Sequence, residues 1–462
     1  MTVQQFKERY PCYGGNGLRG YVDTLNAEGN FLLIRRQGAL YGNIKIWQQV
    51  SSMRLNTPLQ NKRREVRMDN QHCDSNNFEK YKQKVKKYLE LENVSILAGA
   101  GTSFHLGAPT IREIPDELKK QCENEIAEYF SENTSPSFED LVNCLQADRF
   151  VKINKGGSVD SIDESILKMQ KWLFEKCDIR MSEFPNQYKC DVKLAANRYY
   201  YHEMLIKKLL QRPNNLKRAN LFTTNYDMAF DYGLDNMGIH YINGFLGVHN
   251  RVFRPEVYEY DLYYPGESVT GKVYRAEKVL KYYKLHGSLS WIFTEPSECS
   301  TYGIQEIPLN SDFTSDEKGL VVYPCVSKKT FALDLPYSEL FRQFSQAINK
   351  PQSVLICLGY SFFDEHINDI IKQALSIPSF TLIIANYAPP TNDSAPTPGD
   401  DSEIAKMQKL GDKRIIVLDE KNKDISTFAG FVENVMPDLY EEEENAIIAQ
   451  TMRKLYADSY HQ

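Results

Sequence analysis

The sequence predicts an α/β protein, a Rossmann-like parallel sheet with a helical insertion or cap. Three observations carry that expectation. From residue 78 onward, helical patterns alternate with short apolar runs, the order that layers helices over a parallel sheet. Seven of the runs (Val94–Ala98, Ala219–Phe222, Leu280–Leu285, Leu320–Tyr323, Val354–Leu358, Thr381–Ala385 and Arg414–Leu418) are rich in Val, Ile or Leu and bounded by Gly, Asn, Asp or a charge. Strands buried on both faces read this way. Five of the seven end in a glycine-rich or polar turn, on the edge where open α/β sheets bind their ligands.

The elements follow in order. Residues 1–67 hold 11 Lys/Arg against 4 Asp/Glu, whereas the remaining 395 hold 44 against 57, so a +7 segment precedes a −13 body. The basic segment lacks periodicity, carries Gly14, Gly15, Gly17 and Gly20, and ends in Lys62-Arg63-Arg64 just before Met68. Two readings are open for it: a basic arm for nucleic acid or an acidic partner, or a poorly structured extension from an upstream start codon, with Met68 the true beginning. A helix is expected from Phe78 to Leu91. About 120 residues separate the first two strand-like runs, too many for one crossover, and a helical insertion over about 109–218 is expected there. Within it, Ser137–Arg149 opens near a capping box, and Asn197–Leu210 is amphipathic. Segment 231–279 reads as irregular and 388–402 as a surface Pro/Asp/Ser loop. The principal domain is therefore expected over 78–440. Glu441–Glu444 opens a C-terminal helix over 441–462, since acidic residues suit a helix N-terminus.

Composition excludes several classes. With 42% hydrophobic and 25% charged residues the 462-residue chain is neither disordered nor fibrous. No apolar run nears the ~20 residues of a membrane helix, and the first ten residues lack a signal-peptide core. Nine cysteines contain no C-x-x-C pair. That argues against a zinc ribbon and for reduced thiols in a cytoplasmic protein. A net charge of −6 argues against a globally basic nucleic-acid binder.

Each turn has a chemical reading and a plainer one. Gly99, Ala100, Gly101, Thr102 and Ser103 would let a phosphate approach a strand-to-helix turn; a tight packing turn explains the same residues. Thr224, Asn225 and Asp227 could hold hydroxyls and an amide, or form an Asx turn and cap. His286, beside Gly287 at a strand end, could act as a base near neutral pH, or be a satisfied core histidine. Gly359 to His366 repeats the strand–turn pattern with Ser361, and Asn386 could reach a ribose hydroxyl.

Taken in order, these pieces resemble the sirtuin (Sir2) superfamily. Gly99–Ser103 is similar to its G-A-G-x-S loop, Asn225 and Asp227 match T-Q-N-I-D, Leu285–Ser288 matches L-H-G, Gly359–Ser361 resembles its phosphate-holding turn, and Asn386 its ribose-binding asparagine. Departures are equally informative. The four-cysteine zinc module of deacylases is missing, so no metal is expected. Leu320–Cys325 replaces an F-G-E strand edge, and Gly107–Arg112 keeps Arg112 but loses the Asp and Phe of G-I-P-D-F-R. What remains resembles bacterial Sir2-like NAD hydrolases of antiviral defence.

The resemblance implies an NAD+ glycohydrolase that releases ADP-ribose and nicotinamide and depletes NAD+ in an abortive response to phage. His286 would be the base, Asn225 would place the ribose hydroxyls and water, and Asp227 would hold the carboxamide. Gly99–Ser103, Thr224, Gly359, Ser361 and Asn386 would hold the dinucleotide, and Arg112 would order the closing loop. A gate is implied: a homo-oligomer, or a HerA-type ATPase or other defence partner, with nucleic acid reached only through that partner or the basic arm. The alternatives are a non-catalytic NAD or ADP-ribose sensor and, disfavoured by the missing zinc module, a deacylase.

Overall fold

The computed structural model describes residues 71–108, 138–266, 271, 273–309, 320–322, 336–388 and 402–440, together with positions 35–36, 39–40, 118 and 120. The chain divides into two units, Met1–Met68 and Asp69–Gln462. In the first, Arg35–Arg36 pairs antiparallel with Ala39–Leu40. Most of the basic segment, Arg112, loop 389–401 and the expected helix 441–462 lie outside the described residues.

The second unit is built on seven strands: β1 (Asn93–Ala98), β2 (Asn220–Thr223), β3 (His240–Ile242), β4 (Val279–Lys284), β5 (Ser353–Leu358), β6 (Phe380–Ala385) and β7 (Ile415–Val417). Their order across the sheet is β7-β6-β5-β1-β2-β4-β3, and every pairing is parallel. Alternate side chains enter separate cores. Val94, Ile96, Val354, Ile356 and Leu358 pack with Val85 and Leu89 of helix Gln71–Leu89 and with Leu205 and Leu209 of helix Tyr200–Leu209. Leu97, Leu355, Cys357, Leu382 and Ile384 pack with Leu340 and Phe344 of helix Tyr337–Ile348 and Ile367 and Ile371 of helix Glu365–Ala374. Both faces are covered, which is why these strands read as unbroken apolar runs.

The insertion between β1 and β2 is helical where described, with Phe138–Asn154, Asp160–Cys177, Val192–Ala196 and Tyr200–Leu209. Two expectations are corrected. The segment 231–279 is not irregular: it holds helix Ala229–Asn236, strand β3 and strands Phe245–Leu246, Arg251–Phe253, Tyr263–Pro265 and Val273–Arg275. β3 lies at the sheet edge, and only Ile242 of its three residues is buried, so it has no apolar run to read. Leu320–Val322 is a strand, but it belongs to a separate five-stranded antiparallel sheet and pairs with Gly287–Phe293. A short apolar run carries no strand direction. Among the described residues, no helix is long and apolar enough to cross a membrane.

The chain runs outward from β1 through β2, then returns to β5 on the opposite side of β1. That reversal is a topological switch point at the carboxyl ends of β1 and β5, the place where open α/β sheets hold their ligand crevice. Two loops meet there backbone to backbone. Gly99 donates its N–H to the Leu358 carbonyl at 2.9 Å, and Gly101 donates to the Gly359 carbonyl at 2.9 Å. A methyl group on Gly359 would sit 2.7 Å from the Gly101 backbone, and Gly359 adopts φ +57°. For a residue with a Cβ the left-handed conformation alone costs ~1–2 kcal/mol, before any overlap. Gly359→Ala is expected to lower the melting temperature by roughly 2 °C or more. An unchanged thermal transition would contradict this packing.

Candidate functional site

Five adjacent strands present the candidate turns in one row. Along the sheet edge the order is Asn386 after β6, Gly359 after β5, Gly99 after β1, Thr224 and Asn225 after β2, and, beyond Leu285, His286 after β4. The backbone joins neighbours in the row: Gly359 donates to the Ala385 carbonyl at 2.9 Å, Thr224 to Ala98 at 3.0 Å and Leu285 to Thr223 at 2.8 Å. The turns that are scattered through the sequence share one edge because each follows a parallel strand.

Hydroxyls bind the first loop to the second. The Asn225 amide donates to Thr102 Oγ1 at 3.1 Å and to Ser103 Oγ at 3.2 Å, and Thr102 Oγ1 donates to the Gly99 carbonyl at 2.8 Å. Ser103 in turn hydrogen-bonds the Asp227 carboxylate, which also accepts from the Ala229 amide at 3.0 Å. All four side chains are buried. Burial pushes the Asp227 carboxyl above its ordinary range, against the pull of nearby Lys284. The amides of Gly99, Gly101, Thr102 and Ser103 all donate to backbone carbonyls. These glycines therefore serve the loop–loop contact, and the exposed positions on the two loops are Ala100 and Ser361.

A charged pair lies beneath this network. Lys284 Nζ donates to Asp231 Oδ2 at 3.0 Å and to the Asp227 carbonyl at 2.5 Å, and the Tyr282 hydroxyl also donates to Asp231, at 2.9 Å. Both ionic side chains are at most 5% exposed, so each depends on the other to offset the cost of leaving water. Nothing in the local sequence around Lys284 announces the pair, because Asp231 lies on a different element.

His286 stands on the turn between β4 and Gly287–Phe293 and is half-buried. Its ring centroid is 6.3 Å from that of Tyr226, whose carbonyl accepts the Leu289 amide at 3.1 Å. The structure also brings Asp364 and His366 to His286, with one donor atom from each of the three within 4.8 Å of the others. In the sequence the turn is read as far as His366, with roles assigned only to Gly359 and Ser361 and none to Asp364 or His366. Their signal was present, as an acidic residue and a histidine in the same post-strand turn, but nothing local tied them to His286. Asn386 is placed beside Gly359 by its strand, and Arg112 lies outside the described residues.

Behind the first loop, two histidines are buried. His105 is 2% exposed and His202 fully buried; their rings lie 5.2 Å apart, with Phe428 5.7 Å from His105 and 4.9 Å from His202. Burial depresses His105 to about 3, and drives His202 well below the usual imidazole value. Below the ordinary value of about 6.5 the unfolded chain gains protons that the folded chain refuses. Stability is then full above about pH 6.5 and falls toward pH 3, by about 1.4 kcal/mol per pH unit for a group so shifted. His105→Phe and His202→Phe are expected to flatten the loss of melting temperature between about pH 7 and about pH 5. Unaltered acid sensitivity in both variants would contradict the burial of neutral imidazoles.

Comparison with known proteins bears on the same region. Residues 219–397 match the family model described as a SIR2-like domain. A solved Sir2 homologue in complex with NAD is similar at 14% identity, over 77% of this chain and 94% of that one, with a TM-score of 0.37. A solved Sir2–p53 peptide–NAD+ complex is similar at 15% identity, over 79% of this chain and 98% of that one, with a TM-score of 0.33. A 36-residue stretch is 61% identical to the specificity subunit of the Escherichia coli type I restriction enzyme EcoprrI; it is 8% of this chain and spans only 9% of that protein's length. The matched domain contains Asn225, Asp227, His286, Gly359, Ser361 and Asn386. Residues 219–397 of the chain are therefore similar to a SIR2-like domain.

Proposed function

We propose that the chain hydrolyses NAD+ at the bond between nicotinamide and ribose. The observation that carries this reading is the meeting of the Asn225–Ser103–Asp227 network and His286 on one edge of a SIR2-like parallel sheet. The dinucleotide would lie across the crevice between β1 and β5, with its diphosphate along the Gly99–Ser103 and Gly359–Ser361 loops and its ribose hydroxyls toward Asn386 and Thr224. Asp227 would hold the carboxamide, and Asn225 the nicotinamide ribose and a water.

In the reaction the C1′–N bond breaks and its electron pair leaves on neutral nicotinamide. Positive charge develops on the ribose, the water oxygen bonds to C1′, and the water proton passes to His286 and then to solvent. Remote binding of the adenylate half would serve to position the reacting carbon. In this reading the hydrolase depletes NAD+ in an antiphage response and is gated by an oligomeric contact or a partner such as a HerA-type ATPase, in line with the resemblance of its motifs to defence proteins.

General-base removal ordinarily lowers rates by ~10²–10⁴-fold. His286→Ala is expected to reduce nicotinamide release by about a hundredfold or more, measured by chromatography with the purified chain and in cells expressing it. Asn225→Ala, which loses contact with both hydroxyls, is expected to fall comparably. Full activity in either variant, or NAD+ left intact by the wild-type chain in both settings, would contradict the reading.

A further inference from the structure

The donor atoms of a metal site converge where the turn after β4 faces the loop after β5. A ring nitrogen of His286, a ring nitrogen of His366 and a carboxylate oxygen of Asp364 lie within 4.8 Å of one another. Asp364 is 8% exposed and occupies the N-cap of helix Glu365–Ala374. A carboxylate at that position ordinarily accepts a hydrogen bond from the first turn of its own helix, but the Asp364 side chain makes no capping bond. Its oxygen lies with the two imidazoles instead. The rings themselves are set by packing: Phe341 meets His366 edge-on at 4.4 Å, and the His286 and His366 centroids are 6.1 Å apart.

We propose that His286, Asp364 and His366 bind a divalent first-row transition ion, with zinc the best match. Imidazole nitrogen and carboxylate oxygen bind zinc at ~2.0–2.2 Å, which puts tetrahedral neighbours roughly 3.4 Å apart. The spread of up to 4.8 Å therefore closes by as much as about 1.4 Å on loading, within the reach of side-chain rotation. Two neutral imidazoles and one carboxylate leave the ion a net positive charge and an open position, the pattern of reactive rather than structural sites. No metal of any kind is expected from the sequence, on the ground of the missing cysteine spacing; this site departs from that expectation with a donor set that uses no thiolate.

The site shares His286 with the hydrolase reading, and the ion would compete with the proton for the imidazole. Binding itself stands whether or not NAD+ is cleaved. The test is titration of the full chain, stripped with chelator, with Co²⁺ followed by visible absorption and with Zn²⁺ followed by calorimetry. One ion per chain is expected, with the cobalt bands displaced by zinc, and at least a tenfold loss of affinity in His366→Ala. Circular dichroism checks the fold of the variant; His366→Gln and His286→Ala give the same readout if His366→Ala misfolds. No binding at stoichiometric metal, or binding undiminished in these variants, overturns the proposal. Metal binding without NAD+ cleavage counts against the hydrolase alone, and cleavage without metal binding counts against the metal site alone.

Discussion

The contact between the backbones of Gly101 and Gly359 governs the rest of the molecule. It occurs where the chain, having built the sheet outward from β1, returns to lay β5 on the other side. Two loops cannot approach that closely if either carries a side chain, since a Cβ on either residue would stand 2.7 Å from the other's backbone. Once the loops are joined, the carboxyl ends of β6, β5, β1, β2 and β4 form a continuous rim. The polar turns then become neighbours without being neighbours in sequence.

The rim is held by polar groups that are themselves buried, so its geometry is stiff and its chemistry sensitive. Asn225 and Asp227 meet at Ser103, and the loop carrying them rests on the Lys284–Asp231 pair. A buried polar group without its partner costs far more than the net gain of the bond. Each member therefore fixes the next. His105 and His202, packed among aromatic rings behind the first loop, extend the same logic by remaining neutral.

Much of this was legible in the chain. The strands of the central sheet were readable because both faces are covered, which leaves them almost purely apolar, and Val354–Leu358 is the clearest instance. The turns were readable because a glycine or a short polar residue follows each run. β3 was hidden because an edge strand with one buried residue has no pattern. The direction of Leu320–Val322 was hidden because pairing is decided by a distant strand. The same reason conceals the site's tertiary groupings: Asp231 under Lys284, and Asp364 and His366 opposite His286, each join elements far apart in the chain. The glycines of the first loop read as room for a phosphate to approach, and what the sequence does not show is that their own amides donate to the carbonyls of the facing loop.

The central claim is that the β1–β5 crevice holds the dinucleotide with its nicotinamide ribose between Asn225 and His286. The most direct measurement is a crystal structure of the His286→Ala chain soaked with NAD+. The account predicts the diphosphate along Gly99–Ser103 and Gly359–Ser361, with the nicotinamide ribose within hydrogen-bonding distance of Asn225. NAD+ bound elsewhere, or a crevice that binds none at saturating NAD+, would contradict it.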